Sequence, residues 1–379
     1  MRDLKRFELD AGRQKSTSLR HDLSRIFDLL FVSIGSVRML LSRFFALFFI
    51  GMAAWQQTGL ALADSESAPD LGRWELLPKS DHPIARHECA YVRVGDRFYL
   101  VGGRGTSPIK PVEIFDPANR TWSLGAPPPL EIHHFQAVEF DGKVYVVGAM
   151  TGGFPKETPL SNVYIYDPAA DRWSKGPSIP ADRRRGGSGA AVYKGQIYLV
   201  NGIEHGHWDG HVAWFDVFNP TTGEWHSLPD SPRPRDHFQT AIIDDKLYVA
   251  GGRRTSMATN QPVELTIPEV DVYDLRTNKW STLPASEDLP TLRAGCSAVA
   301  VNGRLLVLGG ESGTQHLAHS EVEAFDPRTG RWTELAHMNV GRHATQAVLY
   351  QGKLYTAVGS STQFATEINS QEVFTLPKW

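Results

Sequence analysis

When the chain is aligned on a set of short turns that recur along it, one column of residues reads Arg86, Ile132, Arg185, Arg235, Arg293 and Arg342. Five guanidiniums at one repeated position carry chemical meaning. Converging on a common funnel, they repel one another and focus a positive potential. The planar fork of each holds a carboxylate or phosphate through two hydrogen bonds. The competing reading is structural: each arginine pairs with a neighbouring loop carboxylate and only ties the framework together. Acids near the column are few, namely Glu88, Asp236 and Glu311. Arg86, Arg185, Arg235, Arg293 and Arg342 are therefore the candidate ligand-binding set, for an acidic small molecule, glycan or protein segment.

Two residues on, a second column reads Glu88, His134, Gly187, His237, Gly295 and Ala344, and the column between reads His87, His133, Gly186, Asp236, Ala294 and His343. Alternate residues of a strand share a face, which predicts that the second column points with the arginines. Imidazoles beside guanidiniums stay neutral and accept a proton. Glu88 with His134 or His237 then supplies general acid/base chemistry on a bound sugar acid. Otherwise these side chains hydrogen-bond between repeat units. The loop Glu204–His211 holds three imidazoles and a carboxylate in a pattern that suits zinc or copper. Its glycines make it flexible and no repeat-related partner is evident. It reads first as a simple surface loop, with contact to a ligand through Trp208 as the alternative, and neither metal nor cofactor is expected.

The elements that position these residues follow from a tryptophan recurring at roughly fifty residues: Trp74, Trp122, Trp173, Trp225, Trp280 and Trp332. Seven positions before five of them stands an aromatic residue that usually opens an aromatic-Asp-Pro triplet, as in Phe115-Asp116-Pro117 and Phe325-Asp326-Pro327. Each unit reads as four strands. A first strand leads to a tight turn such as Asp141-Gly142 or Asn302-Gly303, whose residues accept positive φ. A short apolar second strand ends in a glycine doublet, as at Gly102-Gly103 and Gly251-Gly252, where a crowded centre admits little else. The third strand ends in the triplet, and the Trp opens the fourth. The last unit stops at Trp379 without a fourth strand, while Gly72–Pro78 supplies one at the other end. The expectation is an all-β, six-bladed propeller closed by an N-terminal strand that completes the last blade.

These motifs resemble the kelch-repeat β-propeller family over about residues 72–379. The resemblance implies that an arginine at the repeated position lines a pocket at one face of the channel and binds acidic ligands. Exported bacterial members of the family include a six-bladed sialic-acid mutarotase, and a seven-bladed relative is the catalytic domain of galactose oxidase. Intracellular members mostly bind protein partners. The copper site of the oxidase, with its Tyr and His ligands and Cys–Tyr crosslink, has no residue-level match here. The fold hosts unrelated activities, so it does not fix the chemistry.

Of 379 residues, about the first seventy lie outside the repeat. A basic flank, the apolar run Phe44–Trp55 and Ala61-Leu62-Ala63 compose a signal peptide over 39–63, preceded by a non-structural extension (1–38) and followed by a linker (64–71). An uncleaved anchor over 44–60 is the alternative. Residues 1–63 carry nine basic and five acidic side chains, so the overall −3 leaves −7 on the remainder. A mildly acidic exported domain has no evident reason to bind nucleic acid or an anionic membrane. Cys89 and Cys296 occupy equivalent positions of blades that are not neighbours. That separation predicts two buried free thiols rather than a disulfide. The functional expectation is an exported, monomeric, non-catalytic protein, periplasmic or secreted, that recognises an acidic ligand. The alternatives are a sugar-acid mutarotase or epimerase and a protein-interaction scaffold. A single deep pocket suits an enzyme, whereas a shallow open face suits a scaffold.

Overall fold

The computed structural model describes residues 69–379. The extension and signal-peptide assignments (1–38 and 39–63) and residues 64–68 of the linker lie outside the described residues. Six four-stranded antiparallel sheets form the blades of a propeller. Blade 1 comprises His87–Val94, Arg97–Arg104, Val112–Asp116 and Thr121–Gly125. Blade 2 comprises Val138–Phe140, Lys143–Val146, Asn162–Asp167 and Arg172–Ser178. Blades 3, 4 and 5 begin at Gly189–Tyr193, Thr240–Ile243 and Ser297–Val301. Blade 6 takes three strands from the C-terminal end, Ala347–Tyr350, Lys353–Ala357 and Gln371–Thr375, and its outer strand from Arg73–Leu76. Among the described residues no helix is long and apolar enough to cross a membrane.

The recurring aromatic and Trp are cross-strand partners. Phe115 faces Trp122, Tyr166 faces Trp173, Tyr273 faces Trp280 and Phe325 faces Trp332. The closing strand repeats the pairing, with Trp74 opposite Phe374 and ring centroids 4.8 Å apart. Several indoles also reach back to the preceding blade. Trp74 donates to the Ala336 carbonyl, Trp173 to Ala126, Trp280 to Pro229 and Trp332 to Glu287. The Trp thus joins apolar filling to one directed bond between units. The core follows suit: apolar side chains gather in six clusters, each shared by two adjacent blades.

The central channel is closed by side chains. Gln136, Gln239 and Gln346, from blades 2, 4 and 6, are buried and bond across it. Gln136 donates to the Thr240 carbonyl, Gln239 to Thr345 and Gln346 to Ala137, while their oxygens accept from Ala190, Ala298 and Ala137. Only about 30 Å³ remains open beside this plug, room for about one water. Both cysteines are free and buried.

Candidate functional site

The arginine column does not reach the channel mouth. Arg86, Arg185, Arg235 and Arg293 are completely buried and Arg342 is 2% exposed. Each turns back into its own blade and meets a carboxylate of the third strand. Arg86 pairs with Glu113, Arg185 with Asp216, Arg235 with Asp271, Arg293 with Glu323 and Arg342 with Glu372, at 2.5–2.7 Å. Remaining donors bond to carbonyls near the end of the second strand, such as Gly102, Gly251 and Val358. The expected ligand clamp is therefore a set of internal strand ties. A buried guanidinium requires a paired anion, and the third strand provides one. Blade 2 carries neither partner: Ile132 replaces the arginine and Tyr164 stands where the others have an acid.

The second column behaves differently for a backbone reason. Glu88, His134, Gly187, His237, Gly295 and Ala344 all have positive φ, between 53° and 64°. One left-handed residue per blade breaks the strand alternation, so this column points away from the arginines and toward the axis. The same residues form a hydrogen-bonded belt around the channel. His134 N–H donates to Glu88, Gly187 to His134, His237 to Gly187, Gly295 to His237 and Ala344 to Gly295, and Cys89 N–H closes the circle on Ala344. Glycine adopts this conformation freely, whereas other residues there cost about 1–3 kcal/mol each.

Above the plug lies a cavity of about 710 Å³, lined from all six blades. Phe154, Met257, Pro262, Val263 and Phe364 form its apolar wall, and Glu88 and His134 stand at its floor. Glu88 Oε1 is 3.4 Å from His134 Nε2 and 3.9 Å from His237 Nε2. His207 joins them from the Glu204–His211 loop, its ring centroid 4.9 Å from that of His134 and 4.8 Å from that of His237. Burial, reinforced by the charge of Glu311, pushes the Glu88 carboxyl up to about 8 against the pull of Arg253 and Arg104. Burial holds His134 well below the ordinary imidazole range, with His133, His207 and His237 adding repulsion. Burial and Arg253 bring His237 down to about 4 although Asp236 opposes them. His134 and His237 are therefore neutral at physiological pH and Glu88 is poised to exchange a proton.

The model of the Attractin/LZTR1 β-propeller matches residues 70–318. The Kelch-like protein terF of Aspergillus terreus is 30% identical over 327 residues, covering 82% of this chain and 69% of that protein. The chain belongs to the kelch-type Attractin/LZTR1 β-propeller family. Human Kelch-like protein 25 is 29% identical over 266 residues, 68% of this chain but 42% of that one. The chain thus matches less than half the length of that relative. The solved structure of YjhT superposes with a TM-score of 0.64 at 17% identity, covering 76% of this chain and 94% of that chain. That likeness is one of fold.

Within this kelch propeller the structure brings Glu88, His134 and His237 together and leaves the five arginines apart. Trp208 is 37% exposed and stacks on Lys156 rather than lining the cavity. Sequence reasoning missed Arg104 and Arg253 and weighed Glu311 only as a partner for the arginine column, yet all three line the cavity. They share one position, directly after the glycine doublet of blades 1, 4 and 5. Charged residues where the other blades carry Met150, Ile203 and Ser360 are the signal that was available.

Proposed function

We propose that this propeller binds a compact, hydroxyl-rich small molecule in the cavity above the plug and promotes proton transfer on it, the reaction class being sugar mutarotation or epimerisation. The observation that carries this is Glu88, with its carboxylate within 3.4 and 3.9 Å of two neutral imidazole nitrogens on the cavity floor. Such a group within reach of a substrate hydroxyl serves as general acid and base. The cavity volume suits a small ligand. Its apolar wall faces the C–H side of a sugar ring, and Glu131, Glu311 and Glu367 accept from hydroxyls. An acidic ligand lacks a clamp here. The lining carboxylates Glu88, Glu131, Glu311 and Glu367 outnumber Arg104 and Arg253, and both guanidiniums already pair with Glu157 and Glu311. The export reading, with the mature chain acting as a monomer in the periplasm or outside the cell, rests on the apolar run and Ala61-Leu62-Ala63.

A panel of neutral sugars and sugar acids, screened by thermal shift and then by NMR anomer exchange, tests the proposal. Neutral sugars should raise the melting temperature more than their acids. Glu88→Gln should slow exchange by about 10²–10⁴-fold while the fold stays intact. The proposal is overturned if no member of the panel protects the fold, or if Glu88→Gln exchanges as fast as the parent. A protein-docking reading has one observation in its favour, the exposed Phe154 and Phe364 at the cavity edge. Loss of a protein partner on replacing them, with no sugar response, would establish it instead.

A further inference from the structure

We infer that His134, His207 and His237 bind a divalent first-row transition-metal ion, zinc in the first instance, at the cavity floor. Their candidate ligand atoms lie within 4.8 Å of one another and all three side chains are buried. This deepens the small-molecule reading and rests on it only for where a substrate would approach. It also reverses the expectation of no metal. The Glu204–His211 loop, read as a self-contained ligand set, contributes His207 alone, while His205 pairs with Asp209 at the surface. The other two ligands come from the left-handed belt in blades 2 and 4.

The hydrogen bonds behind the rings settle which nitrogen is free. His237 Nδ1–H donates to Asp236 at 2.5 Å, and Asp236 is held by the backbone and hydroxyl of Thr255. His207 Nδ1–H donates to Glu157 at 2.9 Å, and Glu157 is held by Arg104. His133 Nε2–H donates to the Gly152 carbonyl at 3.0 Å, so its Nδ1 accepts from His134 Nδ1–H at 2.6 Å. All three Nε2 atoms therefore keep a free lone pair, on rings whose ligand atoms lie within 4.8 Å of one another. Acceptors placed behind imidazoles are the outer shell that fixes metal ligands.

The Nε2 atoms of His134 and His237 are buried without any hydrogen-bond partner. An unpartnered buried polar atom carries a desolvation cost, and lone pairs this close together add repulsion. A cation removes both penalties. Zinc–imidazole bonds of about 2.0–2.1 Å bring tetrahedral ligand nitrogens to about 3.4 Å apart, so the widest separation closes by about 1.4 Å at most. Charge also favours a cation: Asp236, Glu157 and Glu311 surround the site, against Arg104 and Arg253, and Glu88 can give up its proton to an ion bound beside it. Three protein ligands leave a fourth position facing the cavity, the arrangement of a catalytic rather than a structural zinc site. Glu88 stands beside that position. The left-handed backbone at His134 and His237 then acquires a purpose, since glycine in their place would remove two ligands.

The competing occupant of the gap is a water donating to two of the Nε2 atoms. Untagged full-length chain, stripped with EDTA, is titrated with Zn²⁺ by calorimetry and with Co²⁺ by visible absorption. One ion per chain is expected, with micromolar or tighter affinity and the intense d–d bands of a tetrahedral site. His207→Gln and His237→Gln should each weaken binding by at least about 100-fold, and Asp236→Asn by about 10–100-fold. His205→Ala, in the same loop but outside the cluster, should leave binding unchanged. Circular dichroism and melting separate loss of ligand from loss of fold, and His207→Gln sits on a loop outside the blade sheets. Binding well below one ion per chain, or His205→Ala weakening it as much as His207→Gln, overturns the assignment and leaves water in the gap. A sugar response in a protein that takes up no ion in these titrations sinks the metal and spares the pocket. Metal binding without any sugar response does the reverse.

Discussion

Arg293 illustrates how the same side chain supports opposite readings until its partner is found. Its guanidinium is buried against Glu323 at 2.6 Å and against the Val307 carbonyl at 3.0 Å. Removing one member of a buried pair strands the other, which costs about 3–5 kcal/mol, whereas replacing both by apolar groups is often neutral. Blade 2 already contains the apolar solution in Ile132 and Tyr164. Arg293→Ile should therefore lower the unfolding free energy by about 3–5 kcal/mol, and adding Glu323→Tyr should restore most of it, as read by urea denaturation. An unchanged midpoint in the single variant would mean that the arginine is not tied in. The partner acids were present in the sequence, two residues before each third-strand aromatic. They lie some thirty residues downstream of the arginines rather than beside them, so nearness in sequence does not reveal the pairing. That Ile132 and Tyr164 depart together in one blade was the decisive hint. Side-chain direction is hidden for a related reason: strand alternation does not run through a residue whose φ is left-handed in every blade. His207 was visible as part of a histidine-rich loop, but its partners belong to two other blades, and only the folded ring brings them together.

The strand Arg73–Leu76 carries the closure of the ring, and it is the element whose removal is most informative. It pairs with Gln371–Thr375 along its whole length, stacks Trp74 on Phe374 and sends the indole N–H to Ala336 in blade 5. Deleting residues 72–79 leaves Phe374 uncovered and exposes the edge of blade 6, an invitation to association through unpaired strand groups. Truncating one buried Trp costs about 3–5 kcal/mol, a large part of a typical 5–15 kcal/mol stability. The deletion should cause a large fall in melting temperature and aggregation at low denaturant. Unaltered melting would place the closure elsewhere. This element was fully legible in the sequence, as were the blade count and the turns. Each repeat states the same pattern of turn, glycine, aromatic and Trp, so six copies correct one another. The site was legible only in part, because it depends on residues at which the repeats differ.

At the scale of the whole propeller, buried imidazoles should set its response to acid. Burial, helped by the charges of His343 and Arg104, brings His87 down to about 3. Burial likewise lowers His343 beneath Arg253 and against Glu311, and lowers His319 against the opposing pull of Glu321. The folded chain therefore withholds protons that the unfolded chain takes up below its ordinary imidazole pKa of about 6.5. Stability is then full above that pH and falls as pH drops through it toward the folded values, by up to about 1.4 kcal/mol per pH unit for each group. Glu88 acts in the opposite sense. Its raised pKa gives the folded state the extra proton between about 4.5 and 8, so its contribution improves as pH falls through that range. One such carboxyl offsets one imidazole and leaves the others uncompensated. Melting temperature in EDTA should rise modestly from pH 8 to 6.5, where Glu88 acts alone, and then decline steadily to pH 4.5, with a slope of at least one proton in denaturant titrations. A stability maximum below pH 5.5 would show that the imidazoles take up protons within the fold. Their burial between the blades would then be less complete than the structure has it.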